Sequence, residues 1–107
     1  MAFDIGAVLD GMVGAAAGAL SAEWPGVEAC VKTAFQEERD ALEAIARARL
    51  GEEITDEDLK MQLADEKIAL SAALLVCKVK SKVAAQNAAN AAVKVLSDAV
   101  STALKVL

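Results

Sequence analysis

The second half of the chain constrains the fold most strongly, because residues 52–107 contain neither glycine nor proline. Alanine and leucine, both strong helix formers, dominate this stretch. A single helix of this length would extend over roughly 80 Å at about 1.5 Å per residue, which is long for such a short chain. We therefore expect either one long helix or two helices with a break. Residues 76–83 alternate like a strand, but a lone strand would have no partner with which to pair.

On a helical wheel, the apolar residues of this stretch fall on two nearly opposite faces. The first contains Leu59, Leu63, Leu70, Leu74, Cys77, Ala84, Ala88, Ala91, Val95, Ala99 and Val106. The second contains Met61, Ile68, Leu75, Val79, Val93 and Leu104. A surface helix usually has one apolar stripe, so two stripes predict that both sides are covered, by the chain itself or by another copy. Met61, Ile68, Leu75 and Val79 are the predicted interaction face.

The composition favours a core of small side chains. Apolar residues make up 56% of the chain but include only two Phe, one Trp and no Tyr, so helices are expected to approach each other closely. There is one proline and no long β-branched segment between turn residues. These features predict an all-α fold, a small helical bundle that forms a single domain over residues 1–107.

Residues 1–22 are expected to form an N-terminal helix, or an arm that becomes ordered on a partner. Asp4 is its predicted cap, and apolar residues follow at helical spacing. Each interior glycine costs roughly 1 kcal/mol of helix stability relative to alanine, so the glycines need a reason. Small residues at this spacing allow two helices to approach closely, as is best known from membranes. We therefore predict a close-packing ridge of Gly11, Gly14 and Gly18.

A membrane role for this first helix is an alternative. Only twelve uncharged residues separate Asp10 from Glu23, whereas about twenty are needed to cross a bilayer. Insertion at the membrane surface would lack the Lys and Arg residues that attract anionic lipids. The membrane is therefore the less favoured partner.

An αα-hairpin is predicted after the first helix. Residues 24–26, Trp-Pro-Gly, interrupt the helical pattern, and a second helix is expected over 25–50 with Gly51 as the left-handed residue after its end. Thr55 then caps a third helix whose first turn is acidic. Residues 25–50 and 55–80 thus form the hairpin, and a long or broken helix continues to the C-terminus.

Two carboxylates interrupt the apolar faces of this hairpin. Glu38 and Glu66 each follow an apolar residue by three positions and precede a leucine by four. Because they lie at similar distances from the loop, we expect them to face each other. Two carboxylates in an apolar seam are not readily ionised together without a cation. They lie at the seam edge, are neutralised by Lys or Arg, or bind a metal as in carboxylate-bridged bundles, which normally also use histidine.

The net charge of −5 is unevenly distributed. Residues 1–36 carry −3, residues 37–66 carry −7 and residues 67–107 carry +5. An acidic middle and a basic tail suit an antiparallel fold-back or head-to-tail contacts between copies. The basic part has no arginine and no aromatic residue on which bases can stack, so nucleic acid is not an expected partner.

The two cysteines, Cys30 and Cys77, form no CxxC motif. The N-terminus has acids where a signal peptide needs Lys or Arg. We therefore expect a cytoplasmic protein, or part of a larger particle, with reduced and buried thiols. A Cys30–Cys77 bridge is the alternative if the helices meet there.

No motif for catalysis is present. The chain lacks histidine, which excludes Ser-His and Cys-His pairs, and has no Gly-rich phosphate loop. We expect that the protein is not an enzyme and that it binds no cofactor, metal or small-molecule substrate.

The leading hypothesis is a structural or assembly protein that forms a homo-oligomer, or joins a larger protein assembly, through surplus apolar faces. In its short, Ala-rich composition and Gly-rich first helix, the chain resembles small bacteriophage-encoded helical proteins. The alternatives are a membrane-active protein that uses the first helix and a carboxylate metal-binding bundle.

Overall fold

A computed structural model describes residues 3–106 and confirms the all-α fold. Over this range the helices are α1 (Ile5–Leu20), α2 (Trp24–Glu37), α3 (Arg39–Leu50), α4 (Asp56–Val76) and α5 (Lys82–Lys105). A short 3₁₀ turn, Ser21–Glu23, joins α1 to α2. No strand is present in these residues, and the alternating segment at 76–83 comprises the end of α4, the connection over residues 77–81 and the start of α5.

Side-chain caps fix where three of the helices begin. The Asp4 carboxylate accepts hydrogen bonds from the backbone N–H groups of Gly6 and Ala7 at the start of α1, as predicted. Thr55 and Asp58 cap α4 reciprocally, since each side chain accepts from the backbone N–H of the other residue at 3.1 Å. The Ser81 hydroxyl caps the start of α5 by accepting a hydrogen bond from the backbone N–H of Ala84. Helix starts are therefore encoded locally by short polar residues.

The stretch from residue 52 onward forms two helices rather than one rod. After Val76 the chain turns through Lys78, whose φ is 71°. The Lys78 N–H donates to the Leu75 carbonyl and the Val79 N–H to the Leu74 carbonyl, at 3.0 and 3.1 Å. This is the Schellman arrangement that ends helices, with lysine at the position where glycine is usual. The break lets α5 fold back along the bundle.

The predicted single helix over residues 25–50 is also divided. Glu38, with φ −89° and ψ −3°, ends α2 and begins α3. A second correction concerns the end of α3, where Gly51 keeps a negative φ of −83° and Glu52 is the left-handed residue at 61°. A left-handed conformation costs a residue with a Cβ about 1–2 kcal/mol. For this reason the sequence favours Gly51 for the left-handed position, which Glu52 occupies instead.

Small residues dominate the core, as the composition indicates. α1 packs along α5 more extensively than any other two helices pack together. Among the buried residues of the two helices are Met12 and Ala16 on α1 and the alanines at positions 85, 88, 89 and 92 on α5. The core also contains larger side chains that are fully buried, namely Phe35, Leu42, Leu70, Leu74 and Leu96. The first helix is therefore part of the bundle and not a detached arm.

A disulfide bond joins Cys30 on α2 to Cys77 at the end of α4. The expectation of reduced thiols is wrong, because the sulfurs are bonded to each other. The expected burial holds for Cys77, which is 8% exposed, but not for Cys30, which is exposed. The hairpin places the two Cα atoms 5.6 Å apart, within the usual range for a bridge. The cross-link closes a loop over a sequence separation of 47 residues and ties the end of α4 to α2.

Reduction of this disulfide should lower the free energy of unfolding by about 2–4 kcal/mol, because the unfolded chain regains the freedom of the closed loop. Urea unfolding with and without dithiothreitol measures the difference. The Cys30→Ala/Cys77→Ala protein should match the reduced wild type and should not respond to the reductant. Equal stability of oxidised and reduced wild-type protein would show that the bridge adds nothing to the fold.

Candidate interaction surface

One side of α4 faces the core, while the other side presents large apolar residues to solvent. Met61, Ile68 and Leu75 are 68%, 70% and 37% exposed and lie seven residues apart, about two helical turns. The core side of the same helix is lined by buried Leu59, Leu63, Leu70 and Leu74. Three of the four residues predicted to form an interaction face are thus exposed on one helix face.

Val79 is the fourth of those residues, and its exposure was predicted wrongly. It is only 4% exposed because it follows the left-handed Lys78, which turns it back against the bundle. A hydrophobic contact with the end of the preceding helix commonly accompanies this kind of turn. Its place at the surface is taken by Val76, which is 80% exposed. The helical wheel misplaced Val79 because the wheel was continued through the break after Val76, and it left Val76 between the two apolar stripes, 80° from Ile68 at about 100° per residue.

An open groove of about 540 Å³ runs between α4 and α5 beside these residues. It is lined on α4 by Ala64, Lys67, Ile68, Ser71, Ala72 and Leu75, and on α5 by Lys82, Gln86 and Asn90. A second open groove, of about 510 Å³, lies on the opposite flank of α4 and includes Val76 and the disulfide. We call Met61, Ile68, Ala72, Leu75 and Val76, which lie along and between these grooves, the α4 face.

The predicted glycine ridge on α1 is not one continuous contact surface. A Cβ atom at Gly11 would lie 3.2 Å from Cγ1 of Val95, so this glycine allows α5 to approach closely. At Gly14 and Gly18 an added Cβ would have no neighbour within 4 Å among the described residues. Only Gly11 therefore has the packing role that was predicted for all three.

The stretch Ile5–Glu37 is long and apolar enough, by length and composition alone, to cross a membrane. In the fold it comprises α1, the 3₁₀ turn and α2. The apolar stripe of α1, formed by Ile5, Leu9, Met12, Ala16 and Leu20, is buried in the bundle. A core helix or a signal sequence near the N-terminus passes the same test, so this stretch is only weak support for a membrane role.

Glu38 and Glu66 come together, as the spacing predicts. Both are partly buried, and one carboxylate oxygen of Glu66 is inaccessible to solvent without a hydrogen-bond partner. Burial, followed by charge repulsion from the nearby Glu38 carboxyl and a hydrogen bond with it that favours the protonated form, raises the pKa of Glu66 from 4.5 to about 6. Within residues 3–106 neither carboxylate forms a salt bridge, so no Lys or Arg of this range neutralises the pair. The partial burial of both residues agrees with the alternative in which the pair lies at the edge of the seam.

The hypothesis of a carboxylate metal site requires more ligands than this pair. Within the described part of the chain, no three side chains of His, Cys, Asp or Glu are grouped so that they can hold a metal ion. Two carboxylates on adjacent helices lack the further side chains of carboxylate-bridged sites. The metal-binding alternative therefore has no ligand set in residues 3–106.

Replacement of Gly14 by alanine should raise the free energy of unfolding by about 1 kcal/mol, because the site is helical and open and alanine has the higher helix propensity. Gly11→Ala is the matched control. Its gain should be smaller or reversed, since the new methyl group would press on Val95. Urea unfolding of the two variants measures both effects. An equal gain at the two positions would contradict the close approach of α1 and α5.

Glu66→Gln should stabilise the protein above pH 6 and leave it unchanged near pH 4.5. Because the pKa of Glu66 is higher in the folded protein, protonation of this carboxyl stabilises the fold. This stabilisation is fully present below the unfolded pKa of 4.5 and is lost as the pH rises through about 6. Glutamine mimics the neutral form at every pH. Because solvent screens a partly exposed group, we expect a gain of about 1 kcal/mol at pH 8.

Thermal melts between pH 4 and 8 test this dependence. Asp40→Asn is the matched control, since this carboxylate is 95% exposed on α3 and its removal should give no such gain. A Glu66→Gln profile parallel to that of the wild type would show that the carboxylate is solvated in the folded protein.

Comparisons with known proteins assign this chain to no family. The sequence matches no protein family model, and no curated protein and no solved structure is significantly similar to it. What the protein does must therefore be inferred from its own surface, of which the α4 face is the most distinctive part.

Proposed function

We propose that this chain is a non-enzymatic assembly protein that self-associates through the α4 face. The supporting observation is the row of Met61, Ile68 and Leu75, which are large, apolar and exposed on the side of α4 away from the core. Contiguous exposed apolar residues of this kind typically mark interaction sites. Full burial of one such side chain contributes about 1.5–3 kcal/mol, which favours a partner that covers the whole row.

The character of the surface supports a protein partner over a small molecule. The groove beside the row is open to solvent. Its α4 side is mainly apolar, and its α5 side consists of one lysine and two amide side chains. Small-molecule sites usually enclose their ligand and hold it with a few convergent polar groups. A helix from a partner would instead match both the length and the apolar character of this surface.

Both ends of α4 are fixed, which suits a recognition surface. The Thr55–Asp58 capping box fixes the first turn, and the disulfide ties the last turn to α2. A surface that is already rigid loses little conformational entropy when a partner binds. The α4 face is therefore preorganised over its whole length.

The disulfide also bears on where the protein works. Disulfides persist in oxidising environments and are rare in the cytosol. The sequence left two locations open, the cytoplasm and a larger particle. The disulfide favours the larger particle, because the cytoplasm is reducing. Detection of the Cys30–Cys77 bridge by alkylation and mass spectrometry of protein taken directly from its source tests this preference.

Ile68→Asp should weaken self-association by about 100-fold, because it places a charge in the middle of the apolar row. Sedimentation equilibrium over micromolar concentrations measures the effect. Val106→Asp is the matched control, since Val106 is 67% exposed but lies at the end of α5, and it should leave association unchanged. A wild-type protein that stays monomeric at high micromolar concentration would contradict the proposal.

A further inference from the structure

We infer that the protein forms a two-fold symmetric dimer in which α4 packs antiparallel against α4 of a second copy, with the symmetry axis at Ile68. This inference rests on the proposed self-association and specifies its partner and geometry. It is derived from two independent patterns along the same helix, one of apolar residues and one of charges.

The apolar pattern is symmetric about Ile68. Met61 and Leu75 lie seven residues before and after it, and the exposed residues Ala64 and Ala72 lie four residues before and after it. In an antiparallel pair centred on Ile68, Met61 lies opposite Leu75 of the second copy and Ala64 opposite its Ala72. The small alanines let the helix backbones approach while the larger residues fill the spaces between them.

The charge pattern is antisymmetric about the same point. Glu57 and Asp58 are exposed in the first turn of α4, and Lys78 and Lys80 are exposed just after its end. Symmetry about residue 68 places Asp58 opposite Lys78 of the second copy. It places Glu57 opposite the buried Val79, which lies between the exposed Lys78 and Lys80. The acidic end of each helix therefore meets the basic end of the other, twice in one dimer.

None of these four side chains forms a salt bridge among residues 3–106, and the Asp58 carboxylate accepts the backbone N–H of Thr55 in the capping box. The neighbouring Asp56 forms a salt bridge with Arg49 at 2.7 Å. A two-fold interface requires a surface that is complementary to itself, and this arrangement of acids and lysines is self-complementary only when the helices are antiparallel. A parallel pair would place acids against acids and lysines against lysines.

Charge reversal tests the register. Glu57→Lys should weaken the dimer by about tenfold, since it replaces an attraction by a repulsion at two symmetric places. Lys78→Glu/Lys80→Glu should weaken it similarly, and the three changes together should restore the affinity to within about threefold of the wild type. The matched control is Asp40→Lys, which reverses an exposed first-turn acid on α3 and should leave the affinity unchanged.

Thiol cross-linking of the oxidised protein tests the orientation. With a short bis-maleimide, Ile68→Cys should cross-link to itself. Met61→Cys should not, because its two copies would be about 21 Å apart along the helices at ~1.5 Å per residue. A mixture of Met61→Cys and Leu75→Cys should cross-link, and wild-type protein, whose cysteines are bonded to each other, gives the background.

The outcomes separate this inference from the proposed function. Failure of the combined charge reversal to restore affinity, cross-linking of Met61→Cys to itself, or assembly beyond two copies would overturn the antiparallel dimer while self-association through the α4 face still stands. Monomeric wild-type protein would overturn both. A dimer that Ile68→Asp does not weaken would place the interface elsewhere on the molecule and would also overturn both.

Discussion

The close packing of α1 along α5 determines which faces of the other helices are buried and which remain exposed. Alanines on α5 and Gly11 on α1 let the two backbones approach, so each helix uses its apolar face largely on the other. α5 also packs against the inner side of α4, as do α2 and α3. No helix among residues 3–106 remains to cover the outer side of α4. The exposed row on α4 is thus a consequence of how closely the first and last helices pack.

The helix starts and the helix class could be predicted because their causes are local. Asp4 and Thr55 cap from within three residues of the groups they bind, and the two apolar stripes of α4 lie within one helix. The helix ends could not be predicted in the same way. Glu52 and Lys78 take left-handed conformations without being glycine, and their side chains carry no signal of this. The wheel that misplaced Val79 failed at one of these ends.

The seam carboxylates and the disulfide follow from a single feature, the register of the antiparallel hairpin. In such a hairpin the positions of facing residues add up to a nearly constant number. Glu38 with Glu66 and Cys30 with Cys77 give sums that differ by only three, less than one helical turn. The register that brought the carboxylates together from the sequence also implied the bridge. The expectation of reduced thiols came from the absence of a CxxC motif and of a signal-peptide pattern, neither of which contains information about which residues face each other.

α4 has one unfavourable feature on each side, and the restraints at its two ends hold the helix in place despite both. On its inner side Glu66 has a carboxylate oxygen without a hydrogen-bond partner, which opposes packing of the helix when the group is ionised. On its outer side Met61 and Ile68 remain in water. The capping box and the disulfide hold the first and last turns whatever the state of either side. Because both ends are fixed in this way, the acids of the first turn and the lysines just after the last turn stay at a constant distance from Ile68. A fixed spacing of this kind is what a second copy must match if the two helices are to pair in a single register.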